Sequence, residues 1–199
     1  MAGPIYVALH IETTGCSPIV HSILELGAVA FNSKGGEFAK FNVIIKERAN
    51  KKREERHMRE VWSEYSSVFE ELTCSPHAVP IREAFERFGE WIFGLRGEDA
   101  SRSIHLLAFP ASFTIGYIYG FWTKYVNKPL NSWGPQLDCL DVPSYAAASS
   151  WCPFPDIYDH IKHFGGKAKK THRAVSEARE HGRTHFQVRW SFEHDFHEM

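Results

Sequence analysis

Two short apolar segments near the start of the chain decide the fold: Ile5–Ile11 (IYVALHI) and Ile23–Phe31 (ILELGAVAF). Each has the length and apolar character of a buried strand, and turn-forming residues at Thr13–Pro18 (TTGCSP) separate them. A glycine-containing turn at 33–36 (SKGG) then leads to Glu37–Ile45, where apolar residues alternate with polar ones. Because connections this short join antiparallel neighbours, the sequence predicts three antiparallel strands in succession.

The rest of the chain alternates between helical and strand-like segments. Its predicted elements are, in order, a helix opened by Pro80 with an apolar face from Ala84 to Leu95, a strand at Ile104–Phe109, a helix carrying Ile115–Tyr125, a strand at Leu137–Val142, and helices at Pro155–Phe164 and Thr171–Arg183. The tail 185–199 is not assigned. Three antiparallel strands followed by α/β alternation predict a single α/β domain over residues 1–199, a mixed five-stranded sheet flanked by helices.

Composition narrows the class of protein. The 199 residues are 43% hydrophobic, 24% charged and 14% aromatic, which excludes a disordered chain. The formal net charge is −1, so a polyanionic partner would be bound by local basic patches. Four cysteines without a C-x-x-C pair indicate reduced thiols and an intracellular protein, cytoplasmic or nuclear. No apolar stretch is long and clean enough to predict a membrane span.

Four segments resemble, in order, the motifs of the DEDDh 3′–5′ exonucleases, the DnaQ-like family that includes ribonuclease T and exoribonuclease types. They are His10–Gly15 (HIETTG) with Ile23–Val29 (ILELGAV), Ala108–Ile118 (AFPASFTIGYI), Leu140–Ala146 (LDVPSYA) and His172–Ala178 (HRAVSEA). The matching segments span residues 5–183. The resemblance implies a ribonuclease-H-like fold and 3′–5′ hydrolysis of single-stranded nucleic acid.

The resemblance also implies a set of site residues. In the family, four carboxylates hold two divalent cations and a histidine is the general base on the attacking water. By position, Glu12 and Glu177 are the remaining acidic ligands with catalytic roles, and His172 is the base. His10 stands where the family has its first aspartate, and Thr114 where it has the second-motif aspartate. Two of the four carboxylates are therefore replaced, which leaves a ligand shell too weakly charged for two Mg²⁺ ions.

Three functions stay open at this point. The first is a degenerate exonuclease that binds single-stranded 3′ ends, with hydrolysis weak or lost. The second is an active exonuclease in which His10, Glu12 and Glu177 hold one softer ion, Mn²⁺ or Zn²⁺ rather than Mg²⁺, beside the base His172. The third is a protein-interaction scaffold with a vestigial site, whose partner is another protein or a second copy. The cofactor is accordingly a divalent cation, Mn²⁺, Zn²⁺ or Mg²⁺, or none.

Nucleic-acid contacts are predicted around the three motifs. Thr13 lies in the first motif, Phe113 offers a ring for base stacking in the second, and Lys169, Lys170 and Arg173 form a basic flank at the third. A basic segment of this kind is equally typical of a solvated helix face. The sequence does not distinguish RNA from DNA as the partner.

Overall fold

The computed structural model describes residues 3–99, 101–126, 137–150 and 171–195. Its five-stranded sheet has the order β3-β2-β1-β4-β5. The strands are β1 Ile5–Thr13, β2 Ile23–Phe31, β3 Glu37–Ile44, β4 Ile104–Ala108 and β5 Leu137–Asp141. The β1–β2 and β2–β3 pairs are antiparallel, whereas the β1–β4 and β4–β5 pairs are parallel. The predicted mixed five-stranded α/β sheet is therefore confirmed.

Helices cover both faces of this sheet. They are α1 Glu55–His57, which continues into a π-helical turn at Met58–Trp62, α2 Ser66–Thr73, α3 Ile81–Gly94, α4 Ala111–Tyr125, α5 Val142–Ser150 and α6 Ala174–Asp195. No helix in the described ranges has the length and apolar character needed to cross a membrane. That residues 1–199 form a single domain stays a prediction.

Two predicted helix boundaries are wrong at the end of the chain. The last helix begins at Ala174 instead of Thr171, because His172 just before it has a left-handed backbone with φ of 49°. The helix then continues to Asp195, beyond the predicted end at Arg183, and includes much of the unassigned tail. Phe186 and Val188 are buried along this extension, so packing sustains the helix there. The predicted helix Pro155–Phe164 lies outside the described residues.

The alternation of side chains along β1 separates two faces of the sheet. The face covered by α3 and α4 holds the larger apolar core and receives Ile5, Val7, Leu9 and Ile11. The opposite face, covered by α5 and α6, receives Tyr6, Ala8, His10 and Glu12. His10 and Glu12 therefore point to the same side of the sheet, as their spacing in the sequence predicts.

Helix α6 lies against the sheet at two glycines. A Cβ atom on Gly27 would stand 2.2 Å from the backbone of Ala174 and Val175. A Cβ atom on Gly182 would stand 2.2 Å from the ring of Phe31. Because Gly27 is the β2 partner of His10, this close approach brings the start of α6 beside the carboxyl end of β1.

Candidate active site

Glu12 is the centre of the candidate site, 5% exposed near the carboxyl end of β1. Its Oε2 lies 3.4 Å from Nδ1 of His172, and its Oε1 lies 3.4 Å from Nε2 of His10. Glu12 Oε1 and Nδ1 of His10 are buried and have no hydrogen-bond partner among the described residues. The structure thus brings together three of the residues that the sequence singled out, and it joins the first motif to the third.

The electrostatics of this cluster are dominated by burial and by the two imidazoles. Burial by itself raises the pKa of Glu12, but the interactions of the carboxylate with the imidazoles of His10 and His172 outweigh it and lower the pKa to about 2. Glu12 is therefore ionised at neutral pH.

The ring of His172 is held in place by two aromatic residues that the sequence analysis missed. Its centroid lies 4.1 Å from that of Tyr65 and 5.6 Å from that of Trp62. Trp62 Nε1 also donates a hydrogen bond of 2.9 Å to the carbonyl of Thr13, which ties the π-helical turn to the end of β1. The only sequence signal for these residues is an isolated Trp and Tyr in a mostly polar segment.

Glu177, the third proposed ligand, makes its hydrogen bonds at the start of α6. Its Oε1 accepts a hydrogen bond of 2.9 Å from the backbone N–H of Thr171 and a longer one of 3.4 Å from the Thr171 hydroxyl. Within the described ranges, no group of three or more His, Cys, Asp or Glu side chains has the arrangement of a metal site. The predicted set His10, Glu12 and Glu177 is therefore not assembled as a ligand cluster.

The second motif contributes uncharged groups beside the first. Thr114, at the position of the missing aspartate, is 1% exposed in the first turn of α4. The Tyr117 hydroxyl donates a hydrogen bond to the carbonyl of Gly15, which fixes α4 to the turn after β1. Phe113 is half-buried, and its ring centroid lies 5.3 Å from that of Tyr117. Thr13 is 2% exposed, and its hydroxyl donates a 2.9 Å hydrogen bond to Gly15.

Arg173 lies between two carboxylates. Its guanidinium donates to Glu71 at 2.6 Å and to the fully buried Glu25 at 3.1 Å. The guanidinium that was predicted to contact phosphate is therefore paired with two carboxylates of the same chain, although the Arg173 side chain is still 29% exposed. Lys169 and Lys170 lie outside the described residues.

Asp141, at the carboxyl end of β5, also received no role from the sequence. Its Oδ1 accepts a hydrogen bond of 2.7 Å from the backbone N–H of Ala111, and its Oδ2 accepts one of 3.0 Å from that of Ser144. Asp141 therefore joins the first turns of α4 and α5 to the edge of the sheet where Glu12 also lies. Its oxygens satisfy backbone groups of the fold.

Comparison with known proteins establishes the fold. No protein-family model and no curated protein sequence matches the chain. Among solved structures, E. coli exonuclease I in complex with a dT13 oligonucleotide aligns with a TM-score of 0.72 and 10% identity over 98% of this chain and 43% of that one. Another exonuclease I structure gives a TM-score of 0.70 and 12% identity over 97% and 43% of the respective chains. The zinc-bound complex of E. coli exonuclease I with single-stranded DNA gives a TM-score of 0.63 and 9% identity over 95% of this chain and 40% of that one. The chain thus has the ribonuclease-H-like fold of exonuclease I and spans about two fifths of the length of these solved chains.

Proposed function

We propose that this protein binds the 3′ end of single-stranded nucleic acid at the cluster of His10, Glu12 and His172 beside the carboxyl end of β1, and that hydrolysis there is weak or lost. The observation that carries the proposal is the position of Glu12 between two imidazoles, each at 3.4 Å. One carboxylate between two imidazoles attracts divalent cations less than the four-carboxylate shell of the family does. The imidazole N–H groups beside it are donors of the kind that bind phosphate oxygens.

The described residues do not fit a pair of Mg²⁺ ions. Thr114 brings no charge to the second motif, and Glu177 hydrogen-bonds to Thr171. Mg²⁺ requires near-octahedral oxygen coordination, which an imidazole at His10 does not supply. Weak or absent hydrolysis follows from this shortage of oxygen ligands.

Single-stranded DNA or RNA is the proposed partner. The solved complexes of exonuclease I with single-stranded DNA and with dT13 support it, because this chain shares their fold. Thr13 and Phe113 are proposed as contacts near the end of the strand, and Lys169 and Lys170 as phosphate contacts. Arg173 takes part by exchanging Glu71 for a phosphate while it keeps its bond to the buried Glu25. Since Glu71 is 60% exposed, we expect this exchange to cost only about 0–1 kcal/mol.

A single softer cation is the second candidate, and one observation favours it. Glu12 Oε1 is buried without a hydrogen-bond partner among the described residues and lies 3.4 Å from His10 Nε2, and an oxygen with a nitrogen suits Mn²⁺ or Zn²⁺. In this version Glu177 is the further ligand, His172 is the general base, and the protein is an active exonuclease.

The test is the binding of fluorescent single-stranded oligonucleotides, measured by anisotropy in EDTA over a range of salt concentrations. We expect binding that needs no metal and that is weaker when the 3′ hydroxyl is replaced by phosphate. The logarithm of the binding constant should fall linearly with the logarithm of the salt concentration. Glu12→Gln should retain binding, because it removes only a negative charge. Binding that requires Mn²⁺ and is lost in Glu12→Gln supports the second candidate, and absence of binding under all conditions contradicts both.

Glu71→Gln tests the part assigned to Arg173. Removing the Glu71 carboxylate frees the guanidinium, so we expect tighter oligonucleotide binding than in the wild type. Glu70→Gln is the matched control, because it removes the same charge from a neighbouring exposed position of α2. Equal gains in the two variants would show a general charge effect and exclude a specific contact by Arg173.

A further inference from the structure

A cavity of about 680 Å³ lies between the sheet and helices α5 and α6. Residues that line it include Tyr6, His105, Tyr145, His185 and Arg189. The lining extends from Tyr6 and His105 to Asp141 at the carboxyl end of β5, and it includes none of His10, Glu12 and His172. The volume falls in the range of small-molecule sites, roughly 300–1,000 Å³.

His185 is the feature of this cavity that the fold does not explain. The residue is 3% exposed, and neither ring nitrogen has a hydrogen-bond partner among the described residues. Burial and the nearby charge of Arg189 lower the pKa of His185 to about 4, so the ring is neutral at physiological pH. A neutral imidazole has one donor and one acceptor, and a polar group left unpaired in the interior is destabilising.

The walls around His185 are aromatic. Its ring centroid lies 5.0 Å from that of Tyr145 and 5.5 Å from that of Tyr6, and the Tyr6 and His105 centroids are 5.4 Å apart. Such walls favour a flat ring, because aromatic rings pack well in tilted or offset contact. Arg189, whose Nη1 lies 3.5 Å from the Tyr6 hydroxyl oxygen, adds a positive charge to the lining.

We propose that this cavity is a binding site for a nucleoside monophosphate, with the base against Tyr6 and Tyr145 and hydrogen-bonded to His185, and with the phosphate near Arg189. A nucleobase matches the site because it is flat and carries donors and acceptors on one edge, which pair with the two nitrogens of a neutral imidazole. An anionic phosphate matches the arginine. This site is distinct from the cluster around Glu12, and the inference does not rest on the proposed function.

The test is calorimetric titration of the full chain with AMP and UMP, with inorganic phosphate and tryptophan as comparison ligands. We expect AMP or UMP to bind, and to bind more tightly than either comparison ligand. His185→Phe keeps an aromatic ring but removes both nitrogens, so it should weaken nucleotide binding at least about tenfold, which corresponds to ~1.4 kcal/mol. Gln187→Ala, at an exposed position of the same helix, should bind like the wild type.

Two further measurements keep the test decisive. Thermal melting of His185→Phe should show a fold at least as stable as the wild type, because the variant removes two unpaired buried groups. ¹⁵N NMR of the His185 ring should shift when AMP is added. Failure of AMP and UMP to bind, wild-type affinity in His185→Phe, or equal binding of phosphate or tryptophan alone would overturn the proposal. Oligonucleotide anisotropy in the same variants should be unchanged, which separates this outcome from that of the proposed function.

Discussion

Glu12 and Glu25 are opposite one another in the β1–β2 register, yet their surroundings are very different. The fully buried Glu25 accepts hydrogen bonds from Asn42 at 2.9 Å, from Arg173 at 3.1 Å and from the backbone N–H of Ala174 at 2.7 Å. Glu12 has two imidazoles at 3.4 Å, and one of its oxygens has no hydrogen-bond partner among the described residues.

The difference separates a structural carboxylate from one that is free for ligand chemistry. The oxygens of Glu25 are committed to fixing the start of α6, since one accepts the first N–H of that helix. The longer contacts of Glu12 leave hydrogen-bonding capacity for a ligand. Both glutamates are buried, so the two roles are distinguished by the lengths of the contacts that their carboxylate oxygens make.

The largest expected effect is from Glu25→Ala. The variant leaves Arg173 and the Ala174 N–H without their buried acceptor, so we expect a loss of about 3–5 kcal/mol in the free energy of unfolding. Urea denaturation followed by circular dichroism measures it. Glu12→Ala is the comparison, and a loss in that variant equal to or larger than in Glu25→Ala would contradict the assignment of the structural role to Glu25.

The second prediction concerns the pH dependence of the free energy of unfolding, to which Glu12 contributes. Its pKa is lowered from 4.5 to about 2 in the folded state, so its contribution to stability is present above pH 4.5 and is lost as the pH falls from 4.5 towards 2. The shift corresponds to roughly 3 kcal/mol. Unfolding free energies measured at several pH values in this window should fall less steeply for Glu12→Gln than for the wild type; identical slopes would show that Glu12 is not held in its charged form.

Gly27→Ala tests the close approach of α6 on which both glutamates depend. The added methyl group would collide with the backbone of Ala174 and Val175, so we expect a loss of about 1–3 kcal/mol or more. Gly116→Ala is the matched control, because its Cβ meets no atom within 4 Å and should stabilise α4 by about 0.5–1 kcal/mol. Thermal melting of the two variants measures the difference, and melting temperatures that move in the same direction would contradict the packing.

The smallest expected effect concerns the backbone of His172. Its φ of 49° is unfavourable for residues with a side chain, so His172→Gly should be more stable than His172→Ala by about 1 kcal/mol. Both variants remove the imidazole beside Glu12, and their difference therefore reports only the backbone. Chemical denaturation measures it, and equal stabilities would show that the left-handed conformation is not retained in the variants.

Local patterns were sufficient to predict most of the sheet. The bounds of β2 were predicted as observed, and those of β3, β4 and β5 to within one residue, because short apolar runs between turns carry the signal. The start of α6 was not predictable in this way. Its first N–H is accepted by Glu25 of β2, a partner distant in sequence that no local pattern reveals.

The candidate site was predictable only in part, for the same reason. Motif order identified Glu12 and His172, which the structure brings together. The aromatic support from Trp62 and Tyr65 was missed because it depends on the packing of a polar segment that has little periodicity. The hydrogen bonds of Glu177 to Thr171 depend on side-chain geometry, which spacing alone does not define.

The most direct test of the central claim combines metal titration with an assay of oligonucleotide degradation. Calorimetry with Mg²⁺, Mn²⁺ and Zn²⁺, run beside the degradation of a 3′-labelled single strand, is carried out on the wild type and on Glu12→Gln. The account predicts that Mg²⁺ does not bind the Glu12 cluster, that the strand stays intact or is degraded only weakly, and that oligonucleotide binding persists in EDTA. Mg²⁺ binding together with rapid release of mononucleotides, both abolished by Glu12→Gln, would contradict it.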